Sequence, residues 1–129
     1  MTYGQNNILI VEDEPDTAEL FAEMMRIIGH SVVKVNGYSP AIEQLKKGQP
    51  FAVVLDIMMP DLSGLEVLRY IREDQTLKDT PVVIVSALGL FSDVRNAMEA
   101  GVDAYLTKPV SFNELKTAVQ KITHTKDQD

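Results

Sequence analysis

The sequence predicts an α/β fold: a doubly wound, parallel five-stranded sheet built from (βα)5 repeats, with helices on both faces. Three observations carry that expectation. Five short runs rich in β-branched residues recur along the 129-residue chain. They are apolar without strict alternation, the pattern of strands covered on both sides. Between them the apolar spacing changes to the three-and-four step of a helix face. A chain of this length buries one sizeable core, so one domain is expected over residues 1–124, with 125–129 a polar tail or truncated linker.

"ILIV" (8–11) opens the series. Pro15 follows, acceptable in a first helical turn because the N–H it lacks has no partner there. Ala18, Phe21, Ala22, Met25 and Ile28 then share one face, and Gly29 marks the helix end. "SVVKV" (31–35) is the second strand. Ser39 has the chemistry of a cap and Pro40 that of a first-turn residue for the second helix, which closes at Gly48. "FAVVL" (51–55) is the third strand. After it, Pro60 and Gly64 shape a turn into a helix with the face Leu65, Leu68 and Ile71, and Asp61 reads as a solvated turn residue. "PVVIVSA" (81–87) is the fourth strand, followed by the face Val94, Ala97 and Met98 and a stop at Gly101. "AYLT" (104–107) is the fifth. Ser111 and Glu114 have capping-box spacing before the face Leu115, Ala118, Val119 and Ile122. The methionines read mostly as core filler, and the end "THTKDQD" as polar and frayed.

Charge narrows the partners. With 19 acidic against 12 basic residues and a net charge of −7, the chain repels phosphate backbones and anionic lipid, so neither nucleic acid nor membrane is expected as a direct partner. The absence of cysteine excludes disulfides and thiolate metal sites and is compatible with a reducing cytoplasm. "MTYGQNN" has no leader pattern, and the apolar runs are too short to span a bilayer, which makes a cytoplasmic location the expectation.

In this architecture ligands bind beyond the carboxyl ends of the strands. Those ends carry Glu12 and Asp13 in "VEDEPD", Asp56 in "VVLDIMMPDLSG", then Ser86 and Lys108. Three acids held close together repel one another in a half-buried site unless a cation joins them, and oxygen-only ligation with room for water suits Mg2+. A carboxylate at the metal, a lysine opposite and a hydroxyl between them are the parts needed to receive a phosphoryl group. Blander readings stand beside this one. Asp16 and Glu14 can act on a helix dipole, Ser86 can be a capping hydroxyl, and Tyr105 can pack on the sheet edge. His30 and His124 read as surface histidines, neither ligands nor phosphodonors.

The set "VEDE", "LDIMMPDLSG", "VSA" and "YLTKP", in this order over nearly the whole chain, resembles the receiver domain of two-component response regulators. The resemblance implies a flavodoxin-like receiver fold. Position by position, it makes Asp56 the phosphoacceptor, Asp13 a direct metal ligand, the backbone carbonyl of Met58 a further ligand, and Glu12 a residue acting on the metal through water. It also implies that Lys108, ahead of a cis bond to Pro109, and Ser86 contact the phosphoryl group. Ser86 and Tyr105 form a switch that moves the loop "ALGLF" (87–91), where Leu88, Leu90 and Phe91 offer apolar area around Gly89. Such a chain is not an enzyme. It is a phosphoacceptor signalling domain that assists its own phosphorylation and dephosphorylation, fed by a histidine kinase or phosphotransfer protein and read by an unknown downstream protein.

Two departures from the family pattern matter. Glu12 stands where the family often has aspartate. Ala104 after Asp103, with no arginine in "ELKTAVQKI", departs from the charged dimer face of one large subfamily, so a homodimer stays open. Alternatives are a degenerate receiver that binds without being phosphorylated, and a haloacid-dehalogenase-like Mg2+-dependent phosphatase, which needs an acid where Met58 stands. A flavodoxin-like flavin binder needs a phosphate cradle where "EDEPD" is anionic.

Overall fold

The computed structural model describes residues 7–59, 63–87, 89 and 91–127. Strand and helix alternate as β1 (Asn7–Val11), α1 (Pro15–Ile27), β2 (Ser31–Val35), α2 (Tyr38–Leu45), β3 (Ala52–Leu55), α3 (Gly64–Glu73), β4 (Val82–Ser86), α4 (Phe91–Glu99), β5 (Ala104–Thr107) and α5 (Phe112–Asp127). The strands form one parallel sheet in the order β2-β1-β3-β4-β5. This is the doubly wound (βα)5 fold that the repeating pattern predicts, in the flavodoxin-like form that the resemblance implies. Among the described residues no helix is long and apolar enough to cross a membrane.

Alternate residues of the central strands supply two cores. Leu9, Val11, Val53, Leu55, Val82 and Ile84 face α2, α3 and α4, whereas Ile8, Ile10, Val54, Val83 and Val85 face α1 and α5. Every residue of β1, β3 and β4 is buried, which is why these strands read as continuous apolar runs. The edge strands β2 and β5 are only partly covered. Each fully buried Leu or Ile contributes about 1.5–3 kcal/mol relative to exposure. The chain runs from β1 to β2 on one side and crosses to β3 on the other, leaving a crevice at the carboxyl ends of β1 and β3.

Helix ends follow the sequence with instructive exceptions. Ser111 and Glu114 form the reciprocal box: the Glu114 N–H donates to Ser111 Oγ at 3.1 Å and the Ser111 N–H to Glu114 Oε1 at 2.9 Å. Glu14 does more than sit near a dipole. Its carboxylate caps α1, accepting from the Thr17 N–H at 2.8 Å and the Thr17 hydroxyl at 3.0 Å. Ser39, in contrast, is not the cap of α2. That helix starts at Tyr38, so the extended Gly37 takes the cap position and Ser39 falls inside the first turn. β4 begins after Pro81, which has no N–H for the ladder; its carbonyl accepts from the Val53 N–H. Gly29 and Gly101, with φ of +102° and +95°, end α1 and α4 in the left-handed region where a side chain is strained.

One expectation about the surface needs correction. Met24 and Met25 fill the core and Met59 packs against it, as expected of most methionines, but Met58 and Met98 are 49% and 56% exposed. Met98 lies on the outer side of α4, where Ala97 is the residue that packs inward. The polar end continues the last helix: α5 runs to Asp127, and Thr123 is buried, its hydroxyl donating to the Val119 carbonyl at 2.7 Å. Pro60, Asp61, Leu88 and Leu90 lie outside the described residues, as do the last two residues of the chain.

Candidate functional site

The sheet register builds the site. Val11 pairs with Leu55, so the next residues, Glu12 and Asp56, emerge side by side at the carboxyl rim. Their backbones are pinned there: the Asp56 N–H donates to the Val11 carbonyl and the Glu12 N–H to the Val35 carbonyl, both at 3.0 Å. On the far side Ser86 pairs with Thr107, and the Lys108 N–H donates to the Ser86 carbonyl at 2.8 Å. The Lys108–Pro109 bond is cis. Gly64 has a specific reason to be glycine, because a Cβ there would stand 2.1 Å from the Asp56 carbonyl oxygen. The first turn of α3 therefore closes directly over the Asp56 backbone.

Glu12 and Asp56 are 2% and 5% exposed, and Asp13 is half-buried. One carboxylate oxygen from each lies within 4.8 Å of the others. Lys108 reaches into this group, its ammonium donating to Glu12 Oε1 at 2.8 Å and to Asp56 Oδ2 at 3.1 Å. The remaining oxygens take backbone donors: the Glu14 N–H bonds Glu12 Oε2 at 3.2 Å and the Met58 N–H bonds Asp56 Oδ1 at 2.9 Å. The cluster thus sets three carboxylates against this one ammonium.

The protonation equilibria show the imbalance. Burial pushes the Glu12 carboxyl above its usual range and the neighbouring Asp56 charge adds to this, while the hydrogen bonds from Lys108 and the Glu14 N–H only partly offset them. For Lys108, burial opposes the charge, but hydrogen bonds to Glu12 and Asp56 outweigh it and hold the ammonium above the ordinary lysine range. The donor set is oxygen only, anionic and tightly grouped, which fits a hard divalent cation such as Mg2+.

Ser86 is fully buried at the end of β4. Tyr105 is half-buried and packs against the core on the α2–α3–α4 side of the sheet. Burial raises its phenol pKa, the Asp93 carboxylate raises it further, and a hydrogen bond with the Ser86 hydroxyl acts in the opposite sense. Ser86 and Tyr105 are therefore already joined. Met58 stands at the rim, half exposed, with its N–H turned to Asp56. His124 is exposed, whereas His30 is half-buried with its ring 5.4 Å from that of Phe51.

Two features escaped the sequence reading. The bridge from Lys108 to Glu12 joins residues far apart in the chain and has no local signature. Asp93 comes from the first turn of α4, where an acid ordinarily serves the helix dipole. Here its charge also raises the Tyr105 phenol pKa, and one of its oxygens is buried without a hydrogen-bond partner.

Comparison with known proteins agrees with this geometry. The model of the response regulator receiver domain matches residues 8–120. The polar-differentiation response regulator DivK of Brucella ovis is 29% identical over 105 residues, covering 81% of this chain and 85% of that protein. The receiver domain of a sensor histidine kinase from Pseudomonas aeruginosa PAO1, solved with a magnesium ion coordinated in its active-site cleft, superposes with a TM-score of 0.85 and 28% identity over 92% of this chain and 98% of that one. The response regulator TrrA of Thermotoga maritima, solved in complex with Mg(2+)-BeF, gives a TM-score of 0.80 and 34% identity over 91% and 98%.

Proposed function

The chain belongs to the response regulator receiver domain family, and from that premise we propose that it accepts a phosphoryl group on Asp56 from a phosphohistidine of a histidine kinase or phosphotransfer protein. Receiver domains are signalling modules, not enzymes in the classical sense, and family membership displaces the phosphatase alternative. The observation that carries the reading is the Lys108 ammonium lodged between the buried Glu12 and Asp56 carboxylates, with Asp13 in the same oxygen cluster.

In this reading an Asp56 oxygen attacks phosphorus in line with the P–N bond. That bond breaks as the O–P bond forms, and its electron pair goes to the imidazole, which takes up a proton. Lys108 exchanges its carboxylate partners for phosphoryl oxygens, and the Ser86 hydroxyl donates to another. Asp13, Asp56 and the Met58 carbonyl would hold Mg2+, with Glu12 acting through water; when bound, the ion offsets the charge on the phosphoryl oxygens. The magnesium ion in the Pseudomonas relative and the Mg(2+)-BeF in TrrA support this assignment.

The signal follows from the Ser86–Tyr105 link. A Ser86 hydroxyl drawn to the phosphoryl group leaves the phenol, which shifts the populations of Tyr105 and of the loop "ALGLF". The altered surface is read by a downstream protein, and the setting is the cytoplasm, where a chain without cysteine is at home.

The test is intact mass after incubation with a small phosphoryl donor, with and without Mg2+, for the parent and Asp56→Asn. One Mg2+-dependent adduct on the parent that is missing from the variant is the expected result. No adduct on a folded, Mg2+-binding parent would make the chain a receiver that binds without phosphorylation.

A further inference from the structure

We propose that Asn36 is a site of spontaneous covalent modification, in which its side-chain amide cyclises onto the Gly37 nitrogen and opens to a carboxylate on the wall of the acidic cleft. Asn36–Gly37 is the only Asn-Gly pair in the sequence. Asn36 is exposed in the turn between β2 and α2. Gly37, at φ 169° and ψ −176°, is extended and has no Cβ to crowd the approach of its nitrogen. As the N-cap residue of α2, it lies outside the helical ladder that ties up backbone nitrogens further along.

The other described asparagines lack this combination. Asn7 is buried in β1 and precedes the β-branched Ile8. Asn96 lies inside α4 before Ala97. Asn113 lies in α5 before Glu114, whose N–H is held by Ser111 Oγ at 3.1 Å. The molecule therefore carries its own controls.

The chemistry balances without any co-reactant except water. The Gly37 nitrogen loses its proton and bonds to Asn36 Cγ, closing a five-membered imide. The Cγ–NH2 bond breaks, and ammonia leaves with that proton. Water then opens the ring at either carbonyl, giving α-linked aspartate or β-linked isoaspartate; nothing is oxidised or reduced.

The position gives the change a consequence. Asn36 lines a cleft of about 390 Å3 together with Glu12, Asp13 and Lys34, framed by Pro15 and Pro40. A new carboxylate there adds negative charge beside a cluster already short of cations, and so favours a bound divalent ion. The modification itself stands apart from the proposed function, and only this consequence rests on it.

The test is peptide mapping of the full chain during incubation at mildly alkaline pH and body temperature. Conversion at Asn36 is expected at least about tenfold faster than at Asn96 or Asn113, because the residue after Asn36 has no Cβ and precedes the helical ladder, whereas Asn96 and Asn113 lie inside helices. Asn36→Gln, which needs a larger ring, should stay unchanged. An Asn36 that persists as long as the helical asparagines overturns the proposal. By calorimetry, Asn36→Asp should bind Mg2+ about 2- to 5-fold more tightly than the parent. Equal affinity overturns the consequence alone. A parent that binds no Mg2+ overturns the consequence together with the proposed function, and the peptide map still decides the modification.

Discussion

The two ends of the sheet handle charge in opposite ways, buried at one and partly exposed at the other. At the carboxyl end, Glu12, Asp13 and Asp56 crowd together, and Lys108 bridges two of them. At the amino end of β4 and β5, Arg72 is matched donor by donor. Its Nε bonds the Gly101 carbonyl at 2.9 Å, Nη1 the Lys78 and Thr80 carbonyls at 3.0 and 2.7 Å, and Nη2 the Asp103 carboxylate at 2.9 Å. The same Asp103 oxygen accepts the Val82 N–H at 2.8 Å. A matched guanidinium clasps α3 to the loops before β4 and β5, and serves stability. An unmatched carboxylate group costs stability in the absence of a cation, and that deficit marks the candidate site.

The comparison is open to direct attack. The largest effect should come from Arg72→Ala, which removes the donors of three carbonyls and the charge partner of Asp103. It should cost about 2–4 kcal/mol in denaturant melts while leaving phosphoryl acceptance on the folded fraction unchanged. Arg72→Lys should recover little, since an ammonium cannot reproduce the fork. Next comes Lys108→Ala measured in chelator. Leaving Glu12 and Asp56 without their cation should cost about 1–3 kcal/mol, and Mg2+ should restore much of it.

Asp56→Asn should act in the opposite direction. Removing one charge from the cluster should stabilise the chelated protein by about 1 kcal/mol while abolishing the adduct. A less stable variant would contradict the picture of repulsion at this end. The smallest effect is in pH. Because Glu12 holds its proton more tightly when folded, the stability it contributes is fully present below the ordinary glutamate range and is lost as pH rises through its raised folded value. Melts in chelator should show that decline with rising pH in the parent, and Glu12→Gln should flatten it. Lys108, also raised, places its own loss in the alkaline range.

The sequence was most legible where chemistry is local or periodic. Continuous apolar runs marked β1, β3 and β4 because those strands are covered on both faces. The box at Ser111 and Glu114 needs only its spacing. Ser39 misled because capping depends on where the helix starts, and a glycine took that place without a side chain. Met98 misled because helical spacing does not say how much of a short helix is covered. At the site, strand ends brought Glu12, Asp13, Asp56, Ser86 and Lys108 to one rim as the pattern requires. Their pairing was not legible: whether Lys108 meets Glu12, Asp56 or both depends on sheet register and side-chain reach.

The most direct measurement is the Mg2+ dependence of thermal unfolding for the parent, Arg72→Ala and Asp13→Asn. If charge is unmatched at the carboxyl end and matched at the amino end, Mg2+ will raise the melting temperature of the parent and of Arg72→Ala by similar amounts, and of Asp13→Asn far less. Equal gains in all three, or none in the parent, would contradict the assignment of the acidic cluster as the cation site.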